Sequence, residues 1–223
     1  MSLLIVALIA VFILPVCVIV AYVGCRSPVA AAEECICDKI SILEARTASP
    51  HDGVLADNAA KNEIANAMLS GETVPEGLVA SLCRMAEDSS YDECWRDYCL
   101  QFLGVALSRR DGALSVDDRL RAMAVLRRAS CDSRSTSAGT AILSLRSAAE
   151  ASGDAGLAGE AAELALRVAM SDNFPDGART TALLVLEQSG HPQTQRVAAH
   201  IARSRPSGLL RETALAVASR TWR

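Results

Sequence analysis

The first 25 residues of the chain contain no charged side chain, and residues 3–24 are almost all aliphatic or alanine. A helix rises about 1.5 Å per residue, so this stretch is long enough to cross a hydrocarbon core of roughly 30 Å. A core helix of a soluble domain needs an apolar stripe on one side and not an apolar surface all round. We therefore expect residues 1–25 to be a transmembrane anchor or signal segment that contacts the membrane through residues 3–24.

Three fates of this segment are open: retention, cleavage and lipidation. A cleaved secretion signal usually begins with Lys or Arg before a shorter apolar region, and here Met1 and Ser2 lead straight into the apolar run. The sequence Tyr-Val-Gly-Cys at residues 22–25 resembles a lipobox in its final Gly-Cys, although an aliphatic residue is expected where Tyr22 stands. Cys25 is therefore a candidate lipidation site. We favour a retained anchor, since Pro15 is tolerated in a membrane helix.

Two features disagree on the side of the membrane that the rest of the chain faces. Arg26 is the only charge close to the apolar run and favours a cytoplasmic domain. Six cysteines within about a hundred residues instead favour disulfides in an oxidising compartment. We follow the cysteines and expect an extracytoplasmic domain, periplasmic or extracellular. The alternative is that these cysteines are small buried thiols. The candidate disulfide cysteines are Cys35, Cys37, Cys83, Cys94, Cys99 and Cys131.

The sequence predicts no catalytic, cofactor or metal site. Cys35 and Cys37 are separated by one residue, whereas structural zinc sites prefer two to four. The three histidines, His51, His191 and His200, are dispersed and none is followed by glutamate. Neither a Gly-x-Ser-x-Gly nucleophile turn nor a glycine-rich phosphate loop occurs. We therefore expect a protein that is not an enzyme.

The rest of the chain has the composition of an all-α protein. Only 4% of the residues are aromatic, alanine is abundant, and the two-residue alternation of a half-buried strand is rare. Residues 26–56 are predicted to be a tether, with small residues from Ser27 to Ala32 and a short cysteine-containing helix from Glu34 to Ala45. Residues 57–223 are predicted to be a helical-repeat domain.

Start and stop signals divide that domain into helices. Capping boxes are predicted at Thr73 with Glu76, at Ser90 with Glu93 and at Ser115 with Asp118, and Gly153, Gly190 and Gly208 are predicted to separate later helices. The predicted helices span residues 57–69, 73–87, 90–109, 115–130, 136–151, 155–170, 176–188, 192–203 and 209–221. They are consecutive helical hairpins.

A repeat emerges when the second helices of these hairpins are aligned. A small residue followed by aliphatic residues recurs at Cys99, Ala141, Ala182 and Ala214, in steps of 42, 41 and 32 residues. These steps approach the 40-odd residues of two-helix repeats. A small residue at this position would let the two helices of a hairpin approach, and the leucines would pack on the next hairpin.

Two segments resemble HEAT-like repeats of the armadillo type. They are Arg-Thr-Thr-Ala-Leu-Leu-Val-Leu at residues 179–186, followed by Gly-His-Pro at 190–192, and Arg-Glu-Thr-Ala-Leu at 211–215. The resemblance covers roughly residues 73–221 and implies an α-α superhelical array after the anchor. The last step is short, Gly139 weakens the middle unit, and the paired His-Glu motifs of some iron-binding HEAT-like enzymes are absent. An irregular helical array or a tetratricopeptide-like superhelix are the alternatives.

Charge changes sign along the chain. Residues 29–100 carry 14 acidic and 5 basic residues, whereas residues 190–223 carry 1 acidic and 6 basic residues. The basic end fits an acidic partner surface, or else a solvated face that closes the array. Nucleic acid is not expected, because the whole chain has a net charge of −4 and few aromatic residues. The candidate partner-binding residues are Arg196, Arg203, Arg205, Arg211, Arg220 and Trp222.

Two functions follow from these patterns. The first is a membrane-anchored, non-catalytic helical-repeat scaffold that binds another protein, because stacked hairpins present an extended surface. The second is a structural accessory subunit of a larger membrane protein assembly, in which the apolar segment packs beside other transmembrane helices.

Overall fold

The computed structural model of the protein describes residues 28–45, 54–109, 114–204 and 207–220. Within these residues there are ten α-helices and no strand, which confirms the predicted all-α class. The helices are α1 (Pro28–Glu44), α2 (Val54–Leu69), α3 (Leu78–Glu87), α4 (Glu93–Ser108), α5 (Val116–Ala129), α6 (Ser137–Ser152), α7 (Ala155–Met170), α8 (Asp176–Gln188), α9 (Thr194–Ser204) and α10 (Leu209–Ser219).

The predicted anchor, residues 1–25, lies outside the described residues, as do Cys25, Arg205 and Trp222. Among the helices that are described, none is both long enough and apolar enough to span a membrane. The anchor and its lipidation therefore stay predictions from the sequence.

The first described helix is longer than predicted. α1 begins at Pro28, whereas the sequence predicted a start at Glu34 after a small-residue tether. Proline is favoured at the first helical position, because no hydrogen bond is lost there, and the alanines that follow have the highest helix propensity. The chain divides into two compact units, Met1–Ile42 and Leu43–Arg223. The second unit holds α2 to α10 and the last two residues of α1.

The helices of the second unit form two layers. The even-numbered helices from α2 to α10 lie side by side, each packed on the next even-numbered helix, and the odd-numbered helices from α3 to α9 cover them. Each odd-numbered helix also packs against the even-numbered helix that follows it in the chain, so α3 to α10 are four consecutive hairpins. The predicted hairpins are therefore present.

The aligned small residues lie where the layers meet. Cys99, Ala141, Ala182 and Ala214 are each fully buried, one in each of the helices α4, α6, α8 and α10. A small side chain at these points allows two helix backbones to approach closely. Their burial agrees with the close helix packing that the sequence predicted at these four positions.

Hydrogen bonds between hairpins follow the repeat step. The Ser135 hydroxyl donates to Oε1 of Glu93, 42 residues earlier, at 2.9 Å. At the other end of the unit, Arg220 donates to Glu187, 33 residues earlier. These separations of 42 and 33 residues lie within one residue of the predicted steps of 42 and 32, so equivalent parts of successive hairpins are in contact.

Several predicted helix boundaries are confirmed. Ser115 caps α5, because its hydroxyl accepts the backbone N–H of Asp118 at 3.0 Å. Three glycines at helix ends have a positive φ, which is 69° for Gly153, 61° for Gly190 and 102° for Gly208. L-residues rarely adopt such angles, which explains glycine at these ends.

Two predicted capping boxes are wrong. α4 is capped by Asp92 and not by Ser90, because the Asp92 carboxylate accepts both the N–H three residues on, at 2.9 Å, and the amide of an α2 asparagine, at 3.0 Å. α3 follows Gly77, whose φ is 80°, and the predicted box of Thr73 with Glu76 does not cap it. At the start of α4, the hydrogen bond from Asn58 of α2 favours Asp92 as the capping residue.

Candidate protein-binding surface

The even-numbered helices expose several charged residues, such as Glu93, Glu150 and Asp176, and also a set of positions that follow one register. Relative to the buried small residue they lie five and one residues before it and two and six residues after it, so they share one side of each helix. Sixteen residues hold these positions in or beside α4, α6, α8 and α10; one of them, Arg220 just after α10, is charged and bonds Glu187, and the other fifteen are uncharged and exposed or partly exposed. We call these fifteen residues the neutral face. Its residues are Cys94, Tyr98, Gln101, Val105, Thr136, Thr140, Leu143, Ser147, Gly177, Thr181, Leu184, Gln188, Leu209, Thr213 and Ala216.

Large apolar side chains recur across the neutral face. Val105 is 47% exposed, Leu143 39%, Leu184 37% and Leu209 69%. Tyr98 adds an aromatic ring, which stacks on Phe102 with the ring centroids 6.4 Å apart. Exposed aliphatic and aromatic side chains among neutral polar ones are typical of the centre of a protein interface.

The neutral face is continuous because its helices approach closely. A Cβ at position 104 would lie 2.7 Å from the Ser144 Cβ, and a Cβ at position 139 would lie 2.8 Å from the Thr181 Cβ. The Ser144 hydroxyl also donates to the Leu100 carbonyl of the previous hairpin at 3.1 Å. Gly139, which the sequence suggested as a weak point of the middle unit, is thus a contact point between α6 and α8.

The surface of the odd-numbered layer is different, because charged side chains link its helices. Arg127 on α5 donates from two nitrogens to the Glu160 carboxylate on α7, at 2.6 and 2.7 Å. These hydrogen bonds hold the pKa of Glu160 below its usual value. Arg128 bonds Glu87 on α3 in the same way, at 2.7 Å. This layer therefore presents a solvated, charged surface.

Among the described residues, five large apolar side chains are exposed outside the neutral face, and two of them form a pair on α5; the other three are Ile42, Met170 and Leu215. Val116 and Leu120, on the first two turns of α5, are 74% and 62% exposed. They are spaced four residues apart and flanked by the charged Asp117 and Arg121. The pair is therefore isolated among charges, unlike the apolar residues of the neutral face.

The predicted basic residues are only partly brought together. Arg196 and Arg203 are exposed on α9, where His200 lies between them on the same side of the helix. Arg220, by contrast, bonds Glu187 and so links the last two hairpins. Arg211 is partly exposed on α10. The structure shows an arginine pair on α9 and a structural arginine after α10.

The predicted disulfides are not found among the cysteines that the structure describes. Cys37, Cys83, Cys94, Cys99 and Cys131 are free thiols, and the side chain of Cys35 is outside the described part. The physical reason is packing: Cys83 and Cys99 fill the apolar core of the first hairpin, as the alternative of buried thiols predicted. Cys94 and Cys131 face solvent.

Burial also changes the chemistry of these thiols. Desolvation raises the pKa of the Cys83 thiol to about 11 and raises the pKa of Cys99 further. Burial and the nearby carboxylates of Asp92 and Asp97 raise the pKa of Cys94 as well. A thiol with a raised pKa is a poor nucleophile at neutral pH, so these three cysteines are not activated.

Histidines and acidic residues are not arranged as a metal site in the part of the chain that is described. No group of three or more His, Cys, Asp or Glu side chains is close enough to hold an ion there. His191 lies 3.6 Å from Glu163, between Nε2 and Oε1, and its Nδ1 accepts the backbone N–H of Gln193 at 3.3 Å. These contacts give His191 a role in the turn before α9, while His51 lies outside the described residues.

Two buried cations escaped the sequence reasoning. Lys61 is 2% exposed and bonds the Ala45 carbonyl, 2.5 Å from its Nζ, which fixes the end of α1 on α2. Arg179 is 1% exposed and donates from Nε to the Ala169 carbonyl at 3.1 Å, which closes the turn between α7 and α8. Arg179 belongs to the segment that resembles a HEAT-like repeat. That resemblance is the sequence signal that could have drawn attention to Arg179.

The chain was compared with models of protein families, with curated proteins and with solved structures, and no match was found in any of the three comparisons.

Proposed function

We propose that the chain is a membrane-anchored scaffold of HEAT-like repeats that binds another protein through the neutral face and performs no catalysis. The observation that supports this most is the regular, uncharged side of four adjacent helices, with Val105, Leu143 and Leu184 exposed in successive hairpins. Thr181 and Gln188 of this face also join successive hairpins, through Gly139 and Arg146, whereas the exposed Val105, Leu143 and Leu184 are available to a partner.

The neutral face indicates the chemistry of the partner. Its apolar and hydroxyl-bearing side chains complement a surface that is itself apolar with few charges, such as one side of an amphipathic helix. Binding of this kind depends on buried apolar area and little on long-range charge. We therefore expect the complex to withstand a rise in salt that would dissociate a partner held by the arginines of α9.

The same proposal includes the side of the membrane on which the domain lies. We place the domain outside the cytoplasm on the number of cysteines, and Arg26 favours the opposite side. Protease protection on intact cells separates the two placements, because only an extracytoplasmic domain is cleaved without permeabilisation.

A matched set of variants tests the binding surface. A photo-crosslinking amino acid at position 101 of the full-length chain, in native membranes, identifies the neighbouring protein. Leu143→Glu and Leu184→Glu then place a charge on the neutral face, and we expect each to weaken binding of that purified partner at least about tenfold, since burying an unpaired carboxylate is costly. Leu120→Glu, the same change on the opposite layer, is the control and should bind normally.

The outcomes separate the candidate functions. If Leu120→Glu weakens binding and the neutral-face variants do not, the proposed surface is wrong. If the full-length chain leaves the membrane in mild detergent only within a stoichiometric complex of fixed composition, the accessory-subunit alternative is favoured. A chain that binds its partner reversibly supports the scaffold.

A further inference from the structure

A cavity of about 250 Å³ opens between α3, α4, α5 and the start of α6. At roughly 30 Å³ for each water molecule it would hold about eight waters, which is room for a small organic group. The lining includes the apolar side chains of Leu100 and Val125 and the polar side chains of Arg96 and Ser137. The cavity is separate from the neutral face and does not depend on the proposed function.

Arg96 is the unsatisfied group of this cavity. Its Nε is completely buried, and no atom in the described part of the structure accepts a hydrogen bond from it. The other arginine of the lining, Arg128, already donates from Nε to Glu87 at 2.7 Å. A buried N–H without an acceptor is costly, and since a water-sized atom does not reach Nε, a ligand in the cavity would contact the terminal nitrogens of the same guanidinium.

The start of α6 adds further donors. Ser137, the first residue of α6, is 8% exposed and lines the cavity, and the N-cap residue Thr136 makes no side-chain capping bond. The first turn of α6 holds no acidic residue. The Ser137 N–H already donates to the Ser135 Oγ at 3.1 Å, so the start of α6 offers an anion the Ser137 hydroxyl and the positive end of the helix dipole.

The charges of the lining select the kind of anion. Two arginines and the carboxylates of Glu87 and Asp132 give the lining a formal charge of zero. Both carboxylates are occupied: Glu87 by Arg128, and Asp132 by the backbone N–H of Arg134 at 3.0 Å. A singly charged anion is therefore tolerated better than a doubly charged phosphate.

From these observations we propose that the cavity binds a carboxylate group carried on a short aliphatic chain. The Arg96 guanidinium, with its planar array of N–H donors, fits the two carboxylate oxygens, and the Ser137 hydroxyl supplies another donor. Leu100 and Val125 contact the aliphatic part. The carboxylate is either that of a free small acid or that of the last residue of a peptide.

Titration of the full-length chain in mild detergent tests the site. The probes are butyrate and its neutral analogue butyramide, followed by a short peptide ending in valine with a free or an amidated C-terminus, all measured by calorimetry at low salt. We expect at least one carboxylate to bind about tenfold or more tightly than its neutral analogue, because hydrogen bonds to a charged group are the stronger ones. Butyrate alone binding identifies a small acid, and the free peptide alone binding identifies a chain terminus.

Variants of Arg96 test whether its side chain is responsible for the binding. Arg96→Gln should weaken binding about tenfold or more and Arg96→Lys less, since lysine keeps the charge without the fork. Arg167→Gln, an exposed arginine on α7 outside the cavity, should leave binding unchanged. Equal binding of carboxylate and neutral analogue by the unaltered chain overturns the proposal even if Arg96→Gln does not fold, and so does unchanged binding by a folded Arg96→Gln.

Discussion

Lys61 carries a positive charge into the core of the second unit. Its Nζ lies 2.7 Å from the Asp57 carboxylate and 5.5 Å from the centre of the Trp95 ring, and the side chain is 2% exposed. A buried cation is stable only when hydrogen bonds and opposite charge replace its water. Lys61 therefore joins three elements, namely the end of α1, α2 and α4.

Replacing Lys61 tests this role. We expect Lys61→Met to lower the free energy of unfolding by about 2–4 kcal/mol, because the Ala45 carbonyl loses its donor and Asp57 loses its buried partner. Chemical denaturation of the full-length chain in detergent measures the change. Lys39→Met alters the only other lysine, which is exposed, and should change stability by less than about 0.5 kcal/mol. Equal effects of the two variants would contradict a structural role for Lys61.

The cysteines predict an order of chemical modification. Cys37 and Cys131 are exposed and should react first with iodoacetamide at pH 8. Cys83 should react slowly, because with its pKa raised to about 11 only roughly one molecule in a thousand is a thiolate at that pH. Cys99, which is fully buried, should react only after unfolding. Peptide mass spectrometry without reductant gives the rate at each position.

Unfolding in denaturant is the control for this order. All the described cysteines should then react at similar rates. A cysteine that stays unmodified in the unfolded, unreduced chain would be in a disulfide, which would restore the prediction from the sequence. Rapid reaction of Cys83 or Cys99 in the folded chain would show that the first hairpin opens readily.

Among the elements, helix contacts within the even-numbered layer depend on glycine. Gly104 on α4 lies so close to α6 that a Cβ would be 2.8 Å from the Ser144 Oγ and 3.0 Å from its Cα. Gly159 on α7 has no neighbouring atom within 4 Å of such a Cβ. The two helical glycines are therefore a matched pair that differs only in the contact.

Alanine at the two positions should have opposite effects. Gly104→Ala should lower the free energy of unfolding by about 1–3 kcal/mol, because the clash with α6 outweighs the gain in helix propensity. Gly159→Ala should raise it by about 0.5–1 kcal/mol, because only the propensity changes. Thermal unfolding followed by circular dichroism distinguishes them. A stabilising Gly104→Ala would mean that α4 and α6 are not in close contact.

The same elements show what the sequence reveals and what it leaves out. Helical periodicity and the recurring small residues predicted the hairpins, because both depend on local spacing. The sequence did not predict Asp92 as the cap of α4, because Asp92 is held there partly by a hydrogen bond from Asn58 of α2. The burial of Cys83 and Cys99 was left as an alternative, and the Arg96 cavity was not foreseen, because both depend on how several helices meet. Gly139 was misjudged for the same reason: helix propensity counts against it, and packing requires it.

On the scale of the whole molecule, the two layers connect successive hairpins by different kinds of contact. Charged pairs such as Arg127 with Glu160 connect successive hairpins on one side, and close backbone contacts connect them on the other. The closely packed side is free of charge along its centre. The exposed Val105, Leu143 and Leu184 lie on the closely packed side, so a partner could cover them without breaking the charged pairs of the other layer, which is what the proposed scaffold requires.

The predicted anchor is the last feature that the proposal needs, and its removal gives a decisive result. Residues Leu43–Arg223 are a compact unit, so deletion of residues 3–24 should release the chain from the membrane while the helical circular dichroism signal and the melting temperature of the domain stay unchanged. Membrane flotation compares the deleted and full-length chains, and Cys25→Ser in the full-length chain is the matched control for lipidation. If the deletion variant stays folded and still floats with membranes, another part of the chain provides the attachment. If Cys25→Ser releases the protein as the deletion does, a lipid holds it; if only the deletion releases it, the helix does.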